Sequence, residues 1–162
     1  MKYDGPKFDP NNNLPFCLNN TPCGGYLKVE YLNTIDGDTA YFKVGSSSES
    51  VRFYLINTPE TYKNEPFANY AKAYTKKVLE NAKEIYIQSD VNNLLRDNTE
   101  SRRILAWLWV DGELFNYHLV RCGLATIKYV LNEDVLYLKE LRKAYDEAVK
   151  DKINIHGSTH ED

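Results

Sequence analysis

Five short β-rich segments, with one helix set among them and two more after them, predict a mixed α+β domain: a five-stranded OB-type Greek-key β-barrel with three helices. Three observations carry that expectation. Three segments rich in β-branched and aromatic residues follow one another with turn signals between them. The hydrophobic period then lengthens from two to about 3.6 after Pro66. Two further strand-like segments and two helical ones complete the order. Sequential strands joined by short turns call for antiparallel pairing, which a doubly wound parallel sheet does not offer.

Residues 1–24 hold Pro6, Pro10, Pro15 and Pro22 among asparagines with no apolar period, so they read as an irregular arm, and the domain is expected over 25–157 with a tail at 158–162. Tyr26 to Ile35, Thr39 to Val44 and Val51 to Ile56 are the first three strands, divided by Asp36-Gly37 and by Gly45-Ser46-Ser47-Ser48. From Pro66 to about Asn81, the residues Phe67, Tyr70, Ala71, Tyr74 and Val78 form one helical stripe. Glu84 to Gln88 and Ile104 to Val110 alternate like strands, with the polar segment Asp90 to Arg103 between them as a long loop. Leu114, Phe115, His118, Leu119 and Cys122 give a short helix that Gly123 stops. Asn132 or Asp134 is placed to cap a last helix facing inward with Leu138, Leu141, Tyr145 and Ala148.

A chain of 162 residues is long enough for one real core and short for two. The formal net charge of -3 and pI of about 5.7 exclude a global basic field, so any nucleic-acid contact must be local. No apolar run reaches the length of a membrane span, and a monomer is expected. Met1 to Pro10 contains no apolar signal region, which leaves two settings: secreted or cell-surface with a targeting segment removed, or cytoplasmic. Cys17 and Cys23 could bridge, as suits an exported protein, or all three cysteines could be free. His118, His156 and His160 are too scattered for a zinc motif. The 13 tyrosines are numerous enough to allow a stacking surface, though most such rings sit half-buried on strands and helices.

The distinctive constellation is Asp36-Gly37-Asp38-Thr39, Arg52 on the third strand, and the corner Asn57-Thr58-Pro59-Glu60-Thr61. In isolation, Asp-Gly-Asp is most often just a hairpin turn. Sheet pairing, however, brings the start of the second strand back to the end of the third, so Asp38 and the corner can meet at one barrel mouth. Arg52 interrupts a strand of apolar and aromatic residues.

Together these residues resemble the staphylococcal nuclease family, in which an Asp-Gly-Asp-Thr turn precedes a strand arginine and an Asp-Thr-Pro-Glu corner. The resemblance continues through Ala73-Tyr74-Thr75-Lys76-Lys77-Val78-Leu79-Glu80, Arg103-Ile104-Leu105-Ala106, Asp111-Gly112 and Leu119-Val120-Arg121-Cys122-Gly123-Leu124-Ala125, covering about residues 26–157. It implies a Ca²⁺-dependent nuclease that cleaves DNA or RNA and leaves 3′-phosphates. Asp38, the Asn57 side-chain oxygen and the Thr58 carbonyl would be hard oxygen ligands for Ca²⁺. Arg52 and Arg103 would hold phosphate, and Glu60 would orient or deprotonate the attacking water.

The family corner has Asp where this chain has Asn57, which removes one formal charge from the cation site. Tyr129 corresponds to one nucleotide-contacting tyrosine of the family, whereas Leu131 stands where a second would be. Lys128, Arg102 and Arg96 are placed to add phosphate contacts. A catalytically silent nucleic-acid or protein-binding module of the same fold is the competing expectation.

Overall fold

The computed structural model describes residues 2–17, 23–93 and 95–157, so the expected tail at 158–162 and His160 lie outside the described residues. Strand β1 (Tyr26–Asp36) pairs antiparallel with β2 (Thr39–Val44), and β2 with β3 (Ser47–Phe53). After the two-residue β4 (Ile56–Asn57) come helix α1 (Ala68–Glu80), β5 (Ile85–Gln88), β6 (Ile104–Val110) and β7 (Glu113–Leu114). Helix α2 (Phe115–Arg121), β8 (Thr126–Ile127), α3 (Leu138–Asp151) and a 3-10 turn at Asn154–His156 follow. The large sheet runs β3-β2-β1-β5-β6-β7, and a parallel pairing of β3 with β6 closes β1, β2, β3, β5 and β6 into the predicted five-stranded barrel. Two register shifts in β1, at Tyr31/Asn33 and Thr34/Asp36, let it serve both neighbours.

Phe42, Phe53, Ile87 and Leu108 fill the barrel, while Trp107 and Trp109, which alternate with Leu108 along β6, lie on its outer face against Tyr137; all six are essentially inaccessible to water. Two polar groups anchor the tryptophans from the side: Trp107 Nε1 donates to Asp90 Oδ1 at 2.9 Å and Trp109 Nε1 to Gln88 Oε1 at 2.8 Å. Buried indoles need such partners.

The third strand differs from the expected Val51 to Ile56. The turn is tight, with Gly45 at φ +64°, so Ser47 and Ser48 already pair with Val44 and Lys43. At the other end Leu55 adopts φ 66° and breaks the strand after Phe53. Ile56 and Asn57 are thereby turned into a separate ladder with β8, with Ile56 opposite Ile127 and Asn57 opposite Thr126.

Helix α1 starts two residues later than expected and is rotated from the expected stripe. Its buried residues are Ala68, Ala71, Thr75 and Leu79, whereas Tyr70 is exposed. The cause is the Asp36-Gly37-Asp38 turn beneath it: Thr75 Oγ1 donates to the Gly37 carbonyl at 2.7 Å, and Ala71 packs directly on Gly37. Only a small or hydroxylated face fits there. On α3, neither Asn132 nor Asp134 caps the helix; Asn132 Oδ1 accepts from Asp134 N in a local turn, and α3 begins after Tyr137 at φ 61°. Ala144 completes its buried face with Leu138, Leu141 and Ala148, and Tyr145 stands half-buried beside it.

The N-terminal residues pack on the barrel as a strap. Phe8 stacks on Tyr26 with centroids 4.2 Å apart, Tyr3 packs against Tyr117 and His118, and a disulfide joins Cys17 to Cys23. Cys122 is free. Gly123, at φ +69°, ends the α2 turn where a side chain would strike the Ile153 carbonyl.

Gly37 is tied to this packing by space. A Cβ there would lie 2.8 Å from Thr58 Oγ1 and 2.9 Å from the Ala71 Cβ. Gly37→Ala is expected to lower stability by about 1–3 kcal/mol in urea unfolding, as overpacking does elsewhere; an unchanged midpoint would contradict the contact.

Candidate active site

Register places the site. Thr39 lies opposite Arg52, so the turn residue Asp38 meets the end of β3, and Phe53 N donates to the Asp38 carbonyl at 2.8 Å. Asp38 Oδ2 sits 3.3 Å from Arg52 Nη2 and accepts from Thr58 N at 2.9 Å, while Oδ1 accepts from Thr39 Oγ1 at 2.9 Å. Arg52 Nη1 donates to the Ile56 carbonyl at 2.6 Å, and Nη2 to Asn57 Oδ1 at 3.2 Å. Asp38, Arg52, Asn57 and Thr58 therefore converge, and one buried guanidinium holds the β4 corner against the β1–β2 turn.

Asp36 stood in the sequence constellation only as part of the turn, with no role of its own, and it belongs here. Its carboxyl is pushed above the ordinary range by burial first and by the Asp38 charge second. The available signal was the pair Asp36 and Asp38 flanking a glycine, which a turn explains equally well.

Glu60 follows the corner. Its Oε2 lies 3.1 Å from Lys63 Nζ on the 3-10 turn Thr61–Lys63. Lys63 and then Tyr62 hold the Glu60 carboxyl below its usual range, and Lys128 adds to the effect. Arg103 arrives from the β5–β6 loop, where Asp97 takes its Nε at 2.8 Å and its backbone N–H at 2.9 Å. Both Arg103 terminal nitrogens take no partner among the described residues. Burial lowers the Arg52 pKa, Asp38 opposes that, and the Arg103 charge lowers it further, so the two guanidinium groups face one field.

Lys128 N donates to the Leu55 carbonyl at 2.9 Å, which seats the segment after β8 beside the corner. Tyr129 is 66% exposed, with Lys128 Nζ 5.7 Å from its ring centre. Arg102 is exposed on the loop, at φ 50°, and no hydrogen bond or ion pair ties its side chain to the corner among the described residues. Arg96 is committed elsewhere, with a two-pronged pair to Glu49 at 3.0 Å and 3.0 Å and a bond to the Arg102 carbonyl.

The corner's donor chemistry fits a hard divalent cation: the Asp38 and Asp36 carboxylates, the Asn57 amide oxygen and the Thr58 carbonyl are all oxygens. Thr58 Oγ1 is buried there with no hydrogen-bond partner among the described residues. Among the described residues no three His, Cys, Asp or Glu side chains gather closely enough to hold a metal ion by themselves.

Residues 50–157 match the family described as Staphylococcal nuclease homologue. The chain is 34% identical over 151 residues to a thermonuclease of Staphylococcus intermedius, covering 90% of this chain and 84% of that protein. It is 31% identical over 133 residues to endonuclease YncB of Bacillus subtilis (strain 168), covering 80% and 61%. It is also 30% identical over 125 residues to the SPbeta prophage-derived endonuclease YokF of that organism, covering 75% and 41%. The matched region thus spans 61% and 41% of the two Bacillus proteins.

The raised Asp36 pKa has a consequence for stability. Folding favours the protonated carboxyl, so the stability it contributes below the ordinary carboxylate range is lost as the pH rises through the folded value. At neutral pH the ionised group opposes folding. Asp36→Asn is therefore expected to unfold at higher urea than the parent at pH 7, with the difference shrinking as the pH falls toward the range where Asp36 is protonated; equal midpoints at pH 7 would contradict it.

Proposed function

The chain belongs to the staphylococcal nuclease family, and on that premise we propose that it hydrolyses phosphodiesters of DNA or RNA in a Ca²⁺-dependent reaction leaving 3′-phosphates. The observation that carries this reading is the pairing of Arg52 with Asp38 and Asn57 at the corner, with the Arg103 and Asp36 charges both acting on that guanidinium. A phosphodiester needs both signs of charge: guanidinium groups for its oxygens, and carboxylates for the cation that shares them.

Arg103 offers its two terminal nitrogens to the phosphate, while Asp97 holds the rest of the group in place. Arg52 contributes charge from a fixed position, since Ile56 and Asn57 restrain both of its terminal nitrogens. Glu60 accepts the proton of the attacking water, and the neighbouring Lys63 holds its carboxylate in place. In-line attack then forms the new P–O bond and breaks the bond to the 5′-oxygen, which takes a proton from solvent and leaves as the 5′-hydroxyl, with the phosphate kept on the 3′ side. Asp38, Asn57 and the Thr58 carbonyl would hold Ca²⁺, with Asp36 adjoining, and the bound ion would supply positive charge to the non-bridging oxygens. Tyr129 and Lys128 offer a ring and a cation to the adjacent nucleotide, with Arg102 farther out on the loop.

A silent binding module is the second reading, and one observation favours it: Asn57 is neutral and its Oδ1 already serves Arg52. Cleavage of single-stranded DNA with Ca²⁺, with EGTA and by Glu60→Ala separates the two. The enzyme predicts activity in the first condition and a loss of at least about 100-fold in the others; no cleavage in any condition leaves the module. Asn57→Asp is expected to tighten Ca²⁺ binding measured calorimetrically, because ligand charge sets affinity, and equal affinities would refute that role.

The Cys17–Cys23 disulfide supports an extracytoplasmic, oxidising setting. Protein taken from its native compartment under denaturing, non-reducing conditions should then show a single reactive thiol, Cys122; three reactive thiols would point to the cytoplasm.

A further inference from the structure

We propose that Tyr62 is a second base-stacking platform, on the opposite flank of the corner from Tyr129, so that an unpaired strand is gripped on both sides of Glu60. The proposal rests on the nucleic-acid reading above and deepens it.

The β4–β8 ladder sets the geometry. Its strands are antiparallel, with Asn57 opposite Thr126 and Ile56 opposite Ile127. The chain after Asn57 therefore leaves the ladder at one end, toward Glu60 and Tyr62. The chain after Ile127 leaves at the other, where Lys128 N bonds to Leu55. Each departing segment carries a Lys–Tyr pair. Lys63 Nζ lies 5.6 Å from the Tyr62 ring centre, and Lys128 Nζ 5.7 Å from that of Tyr129.

Those two tyrosines differ from the rest. Every other tyrosine except Tyr41 packs against another aromatic ring. Tyr62 is 78% exposed and Tyr129 66%, against 37% for Tyr41. An exposed ring with no aromatic partner among the described residues contributes little to the core, yet Tyr62 is not loosely placed. It sits on a 3-10 turn whose Lys63 is anchored to Glu60 at 3.1 Å, and Asn64, in the left-handed region, closes that turn onto the Thr61 carbonyl. With Lys63 on one side, the ring keeps a face for a base, and the adjacent ammonium lies where the strand's phosphates must pass. Stacking requires bases free of pairing, which makes the ligand class single-stranded nucleic acid.

The test is fluorescence anisotropy of a labelled oligothymidylate of about eight nucleotides in EDTA, where Ca²⁺-dependent cleavage is suppressed, with Tyr62→Ala, Tyr62→Phe and a duplex of equal length. The expected result is about 5- to 150-fold weaker single-strand binding by Tyr62→Ala, retained binding by Tyr62→Phe, and unchanged duplex binding. Tyr62→Ala binding the single strand like the parent overturns the platform, as does an equal loss on the duplex. Parent protein that shows the Tyr62 dependence but never cleaves with Ca²⁺ refutes hydrolysis and upholds the platform. Parent protein that binds no strand in EDTA overturns the platform, and hydrolysis falls with it only when cleavage with Ca²⁺ is absent as well.

Discussion

The Asp38 carboxylate is the point on which the site depends, because three separate chain segments meet there. It pairs with Arg52 from the end of β3, accepts the Thr58 backbone N–H from the corner, and accepts the Thr39 hydroxyl at the start of β2. Such a buried pair is weak evidence for stability as a whole, since desolvation offsets much of the attraction. Its value is geometric. Removing either charge strands the other in a place where Asp38 is 5% and Arg52 9% exposed, so the two fix each other and, through Ile56 and Asn57, the direction in which the chain leaves the barrel. Gly37 and Thr75 then lock the turn against α1 from behind.

How far this was legible in the sequence follows from which signals are local. Strand and helix order depends on short-range periodicity and turn residues, and the five-stranded barrel with three helices emerged from it. Boundaries decided by single backbone conformations did not. Leu55 at φ 66° has no sequence mark, since a leucine is not a turn residue, yet it ends β3 and creates the β4–β8 ladder. The rotated face of α1 was hidden for a related reason: the helix packs on a turn whose glycine admits only small neighbours, so alanine and threonine outrank the tyrosines that the apolar count favours. Within the site, Asp38, Arg52, Asn57 and Thr58 were legible because their spacing matches a motif. The Lys63 anchor on Glu60 and the Asp97 anchor on Arg103 were not, because each is a pairing of common surface residue types that only the folded chain selects.

Those anchors share a logic. The two groups expected to act on a phosphodiester, Glu60 and Arg103, each carry an opposite charge close by. Arg103 spends only its Nε on Asp97 and keeps its two terminal nitrogens, so the pairing orients the fork without consuming it. Lys63 holds the Glu60 carboxylate in place and lowers its basicity at the same time. Orientation comes at some expense in driving force.

Asn57 shifts this balance in one direction. Around the corner, the charges of Arg52 and Arg103 face those of Asp36 and Asp38, while Glu60 and Lys63 compensate each other. An aspartate at position 57 would add a third carboxylate, strengthening the hold on a cation and on Arg52 together, and it would also raise the repulsion that already pushes the Asp36 carboxyl upward. The amide relieves that repulsion and weakens the hold on a cation more than the hold on a phosphate, because Asp97 takes only the Arg103 Nε among its side-chain nitrogens. A corner of this kind favours the phosphate over the metal, so strand binding is expected to survive conditions that remove the cation, with hydrolysis the property that depends on it. The same asymmetry gives exposed rings beside the corner a larger share of the grip, because aromatic stacking needs neither the cation nor the missing carboxylate.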